Sequence, residues 1–207
     1  MPGLLPMIGA MNATRTHLLG LGLVIALSTL ATIAHAAPVT YRVDPSHTFP
    51  SFEADHMGIS VWRGRMNKTE GELMLDKAAG NGWVDVKIDM GSIDFGQTTL
   101  NGWARSKNFF DIETHPYAFY KGRLESPRDG MPTKVVGELS INGRTRPVDL
   151  DIQFIKCIPH PLFKREVCGA DATGRFNRED FGLDYGKQFG FKMDVLMRIQ
   201  IEGIAKE

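Results

Sequence analysis

From Val39 onward, apolar and polar residues alternate with period two over short segments bounded by Gly, Asn, Asp and Pro. That is the pattern of antiparallel strands with one buried face. "FEADH" puts Phe52, Ala54 and His56 on one face and Glu53 and Asp55 on the other. "GELMLD" sets Gly71, Leu73 and Leu75 together, and "WVDVKID" places Val84, Val86 and Ile88 against Asp85, Lys87 and Asp89. "PVDLDIQF" turns Val148, Leu150, Ile152 and Phe154 inward and Asp149, Asp151 and Gln153 outward. "VLMRIQIEG" does the same with Val195, Met197, Ile199 and Ile201. About eight substantial strands are predicted, with a tight hairpin turn at Asn142 and Gly143 in "INGRTRP".

Only "TTLNGWARSKNFF" reads as helix, with Leu100, Trp103 and Lys107 at helical spacing after a threonine suited to cap it. Gly102 weakens it. There is no internal repeat, linker or low-complexity tract, so the pattern predicts one domain. A meander of this length folds into a sandwich or closes into a barrel, and closure removes the exposed edges. The expectation is an all-β antiparallel barrel.

The first forty residues set the compartment. After Arg15 and His17 the chain is apolar from Leu18 to Ile33, too short and too rich in Gly, Ser and Thr to span a membrane comfortably. It ends in "AHAAP", an A-x-A cleavage pattern. A signal peptide is expected over residues 1–36, cut after Ala36, with the exported domain over residues 37–207. The chain carries 24 basic and 24 acidic residues, so no net charge recruits nucleic acid or an anionic membrane surface.

Compartment decides the reading of the two cysteines, Cys157 and Cys168 in "CIPHPLFKREVC". In an oxidising space they predict a disulfide, expected to pin a hairpin loop between the "DLDIQF" and "DATGRF" strands. Zinc would need a fourth ligand beyond these cysteines and His160, and a redox pair reads C-x-x-C. The chain has no G-x-S-x-G elbow, H-E-x-x-H, phosphate loop or G-x-G-x-x-G, so no enzyme, cofactor or metal is expected. A metal site or an Asp/His hydrolase would require folding to bring His47 and His56 near an acid. A stress-protective structural protein of the envelope is a further alternative.

Several longer blocks carry a resemblance: "YRVDPSHTFPSFEADHMGISVWRGRM", "FFDIETHPYAFYKG", "GELSINGRTRPVDLDIQF" and "RFNREDFGLDYG". In order and spacing they resemble the YceI-like family of periplasmic polyisoprenoid-binding proteins over nearly all of Tyr41 to Ile204. The resemblance implies a lipocalin-like eight-stranded antiparallel barrel with a short helix near one mouth. It also implies a long hydrophobic cavity for one lipid, such as a prenyl quinone or its precursor. Asp44 with His47, Phe52 with His56, and Phe109, Phe110, Asp111, Pro116 and Tyr120 match the family's motifs. The helix departs: where many relatives have an Arg-Asp pair and then His-Leu, this chain has Leu100 to Ala104, which implies a less charged mouth.

Alternation supplies the candidate lipid-contacting residues: Phe52, His56, Trp62, Met66, Leu73, Val84, Val86, Ile88, Tyr120, Leu139, Ile141, Ile152 and Phe154, with Phe110 near the mouth alongside Trp103 and Phe109. Each could instead pack against its neighbours, because alternation fixes the face and not the depth. Burial of an alkenyl chain gains roughly 0.8 kcal/mol per methylene before ordering costs, so tight binding needs no polar anchor. Exposed aromatics such as Trp83 and Phe119 offer a surface for a homodimer.

Overall fold

The computed structural model describes residues 37–207; the expected signal peptide lies outside the described residues. Among the described residues the strands are β1 (Val39–Val43), β2 (Ser51–His56), β3 (Ser60–Met66), β4 (Thr69–Asp76), β5 (Asn81–Asp89), β6 (Ile93–Asp94), β7 (Tyr117–Glu125), β8 (Lys134–Ile141), β9 (Arg144–Pro147), β10 (Leu150–Pro159), β11 (Glu166–Asn177) and β12 (Asp194–Ala205). One α-helix, α1 (Thr98–Arg105), lies between β6 and β7. Eight of the strands form a closed ring, β1-β4-β5-β7-β8-β10-β11-β12, and β12 returns to β1 through Tyr41 opposite Ala205 and Val43 opposite Gly203. No helix among the described residues is long and apolar enough to cross a membrane.

The wall is longer than the ring because three strands break and resume. β1 pairs with the end of β12, and β2 with its beginning, through Ala54 opposite Val195 and Ser51 opposite Arg198. β3 then continues beside β2, as β4 does beside β1, and β6 beside β3. The break between β1 and β2 is a built turn: the Asp44 carboxylate accepts from the Ser46 amide and hydroxyl and meets His47 Nδ1 at 2.8 Å. The Thr48 hydroxyl accepts from Glu202 N. The matched Asp44 and His47 therefore hold chain direction.

Ile141 pairs with Arg144 across Asn142 and Gly143, both at positive φ (49° and 69°), the two-residue turn whose twist suits a hairpin. The helix forms, but its cap is Gln97, whose side chain accepts from Leu100 N, and not a threonine. It ends at Arg105, leaving Lys107 exposed beyond it. Asn101 seats the helix, accepting from Phe95 N and donating to Asp94.

One register expectation fails. Ile152 faces Ala172 while Phe154 faces Asp171, so β10 spends two residues where β11 spends one. The extra residue is a β-bulge, and it reverses which side chains face inward beyond it. Phe154 consequently points out, 52% exposed, while Ile155 and Cys157 turn toward the core.

The bulge also explains the disulfide. Cys157 and Cys168 are bonded to each other as direct partners in the β10–β11 ladder. Both strands run further than the sequence suggested, so the bond is a cross-strand rung and not a loop pin. Cys168 is 5% exposed and joins the core, with Cys157 packed against it. Because it closes a span of 11 residues, replacing both cysteines by serine is expected to cost about 3 kcal/mol of stability. Thermal unfolding with and without reductant measures this, and two free thiols in the non-reduced protein would overturn the assignment.

Candidate binding cavity

The interior divides into a filled half and an open half. Toward the end where β1 meets β12, the space is packed by Tyr41, Leu75, Leu124, Val135 and Cys168. Beyond them opens a cavity of about 420 Å³, within the ~300–1,000 Å³ typical of small-molecule sites. Its wall follows the inward positions of the strands: Phe52 and Ala54, Trp62 and Met66, Val86 and Ile88, Ala118 and Tyr120, Leu139 and Ile141, and Val195, Met197, Ile199 and Ile201. Leu150 and Phe176 add to it.

Two glycines let large rings lie in this wall. A Cβ at Gly137 would stand 2.5 Å from the Tyr120 hydroxyl, which donates to Val148 O at 2.9 Å. A Cβ at Gly64 would stand 2.5 Å from the Phe52 ring. Around the mouth the aromatics touch one another. Trp103 lies 4.9 Å from Phe109 and 4.8 Å from Tyr185, and Trp62 lies 6.2 Å from Phe191. Asn142 ties the β8–β9 turn to this mouth by donating to Phe109 O.

The structure sorts the sequence candidates by depth. Phe52, Trp62, Met66, Val86, Ile88, Phe110, Tyr120, Leu139 and Ile141 line the cavity. Leu73, Val84 and Ile152 face inward but lie one position too far along their strands and pack against the filled half. Phe154 is on the outside, for the bulge reason given above. His56 is on the predicted face near the tip of the β2–β3 hairpin. It is not in the cavity wall: it stacks on Trp62 at 4.2 Å and meets the edge of Phe191, backing the wall from behind. Of the outer aromatics, Phe119 is exposed and Trp83 half-buried.

Sequence reasoning missed other lining residues. Thr48, Thr69, Met90, Phe95, Leu183, Tyr185 and Phe191 sit in turns, breaks or strand ends where no period is long enough to read. Val195, Met197, Ile199 and Ile201 also line the cavity; their clean alternation showed the inward face, but they were not among the candidates. Arg178 stands in the "RFNREDFGLDYG" block that carries the resemblance, but nothing in its pattern marked it as a lining residue. It begins a short 3-10 helix after β11, yet it lines the cavity and is buried. Its Nη1 donates to Leu183 O and its Nη2 to Tyr185 O at 2.9 Å, and its guanidinium stands 5.7 Å from the Phe109 ring. Burial holds its pKa below the usual arginine value, opposed by the charge of Asp184. The less charged mouth implied by the helix thus receives a cation from another element.

The polar residues elsewhere do not converge on this space. His47 lies with Asp44 and Glu202 in a cluster whose ligand atoms fall within 4.8 Å of one another, but Asp44, His47 and Glu202 are not in the cavity wall and His56 is not in the cluster. The grouping of Cys157, Glu166 and Cys168 has its sulfurs committed to the disulfide.

Known proteins are similar to this chain in sequence or in fold. A UPF0312 protein of Serratia proteamaculans is 30% identical over 180 residues, covering 84% of this chain and 91% of that protein. One from Vibrio cholerae is 27% identical over 190 residues, covering 91% and 98%. Among solved structures, Burkholderia cenocepacia BcnA matches with a TM-score of 0.63 at 21% identity, over 77% of this chain and 98% of that one. A polyisoprenoid binding domain from Saccharophagus degradans, implicated in plant cell wall breakdown, matches with a TM-score of 0.60 at 16% identity, over 81% and 99%. At such identities these two structures speak for the fold. The model of the YceI-like domain matches residues 41–203, and on that match, with the closed barrel and the one helix among the described residues, the chain belongs to the YceI-like family.

Proposed function

We propose that this protein is a periplasmic carrier for one long, mostly apolar lipid, a polyisoprenoid such as a prenyl quinone or its precursor. The observation that carries the reading is the cavity: a closed barrel enclosing about 420 Å³ with a wall almost wholly of aliphatic and aromatic side chains. Such a space favours a slender apolar chain by burial alone, roughly 0.8 kcal/mol per methylene before ordering costs. The similar fold of a polyisoprenoid binding domain supports the ligand class. A disulfide supports an oxidising compartment, and export through a signal peptide cut after Ala36 accounts for it. The reading assigns no catalysis to the cavity.

The test is organic extraction of protein recovered from an osmotic-shock fraction, followed by mass spectrometry. The expected result is one long-chain isoprenoid lipid per protein and an intact mass beginning at Ala37. Protein free of lipid under every growth condition would remove the carrier reading, and retention of residues 18–33 in membranes would remove the export reading.

A further inference from the structure

The aromatic mouth of the cavity holds one buried cation whose hydrogen bonds do not neutralise it. Arg178 is 7% exposed, and its Nη1 and Nη2 donate to the backbone carbonyls of Leu183 and Tyr185. Those acceptors are neutral. Asp184 is the acid whose charge it feels, yet among the described residues no carboxylate forms an ion pair with it. The other charged lining residue, Asp55 on β2, has its carboxylate taken up by the amides of Gly58 and Lys192. A buried charge left without a counter-charge is costly, and a ligand that supplies one recovers that cost on binding.

From this geometry we infer that the lipid carries an anionic head group, a carboxylate or a phosphate, which rests at the mouth against Arg178 while its tail fills the barrel. The inference rests on the carrier reading and adds polarity and direction to it. Arginine suits the task because its planar fork matches the oxygens of either anion. The Phe109 ring stands 5.7 Å from the guanidinium, and Trp103 packs against Phe109 and Tyr185 beside it, an apolar setting that strengthens the pair. The tail then runs from the mouth toward Ile88 and Ile201, away from any charge in the wall.

Three probes with one twenty-carbon tail test this: geranylgeraniol, geranylgeranoic acid and geranylgeranyl monophosphate. Wild-type protein is expected to bind the acid and the phosphate roughly ten- to a hundredfold more tightly than the alcohol, the range of a charged hydrogen bond. The acid's advantage should vanish as pH falls and the acid is protonated, while the alcohol's affinity stays level. Arg178→Met should bring all three affinities together by weakening the two anions, and Arg178→Lys should restore part of the preference. Equal binding of the three by wild type would overturn the inference, as would an Arg178→Met variant that loses all three alike, because the arginine would then serve only to fasten the Leu183–Tyr185 turn. If Arg178→Met does not fold, the head-group series and its pH dependence in wild type decide alone. Binding of the alcohol with no anion preference leaves the carrier reading standing; binding of none of the three removes both.

Discussion

An Ile88→Glu variant is expected to fold and to lose lipid binding almost completely, whereas Ile88→Ala should weaken binding only about tenfold. Ile88 sits near the middle of the wall, between Thr69 on β4 and Ala118 on β7, and all three line the cavity. With no lipid bound, a glutamate there can stay hydrated through the mouth, so the fold bears little of its cost. A lipid tail would strip that water, and desolvating an unpaired carboxylate costs several kcal/mol. At about 1.4 kcal/mol per tenfold, that is a loss of a thousandfold or more. Alanine removes three carbons, of which a tail running past the wall covers only part, so at 0.8 kcal/mol per methylene the loss is on the order of 1–2 kcal/mol. Displacement of a fluorescent polyprenyl analogue, with circular dichroism as the check on folding, measures both variants. A folded Ile88→Glu protein that retained lipid as well as wild type would show that the ligand does not pass Ile88.

What the sequence disclosed about this barrel follows from which forces are local. The faces of β5 and β12 were legible because each strand keeps strict alternation over its length, and one pleat imposes one period. The Asn142 and Gly143 turn was legible because few residue pairs accept two positive φ angles. Phe154 was misplaced for a matching reason: the bulge before it is a property of two strands' pairing, and nothing in "DIQF" by itself marks the extra residue. Leu73, Val84 and Ile152 show the other limit. They point inward as expected, but whether an inward residue meets a cavity or a neighbour depends on how far along the barrel the filling side chains reach. Arg178 was illegible because its burial arises from the fold-back of the Leu183–Tyr185 segment and from Phe109, 69 residues earlier in the chain.

The filled half of the barrel governs stability as the open half governs binding, and Tyr41 is where that is tested. Tyr41 is fully buried on β1, between Leu73 of β4 and Ala205 of β12. Gly203 leaves room for it, since a Cβ there would lie 2.9 Å from the Cβ of Tyr41. Its hydroxyl donates to Glu166, which also holds Lys77 Nζ at 2.7 Å. Tyr41→Ala is therefore expected to cost about 3–5 kcal/mol, the range for deleting a buried aromatic ring. At ~2–4 °C per kcal/mol for a domain of this size, the melting temperature should fall by roughly 10 °C. Tyr41→Phe keeps the ring and should cost only ~1–2 kcal/mol for the hydrogen bond. Acid adds a second readout. Burial alone would raise the Glu166 pKa, but the bonds from Lys77 and Tyr41 outweigh it and hold the carboxyl below its ordinary value of 4.5. A depressed pKa contributes stability above the unfolded value, and that contribution fades as pH falls through the folded one. Wild type should thus lose stability on acidification below pH ~4.5, and Tyr41→Phe should lose less over the same interval. Tyr41 is not in the cavity wall, so Tyr41→Phe should bind lipid as wild type does. Equal melting temperatures for Tyr41→Ala and wild type would mean that the closed end of the barrel is not held by this ring.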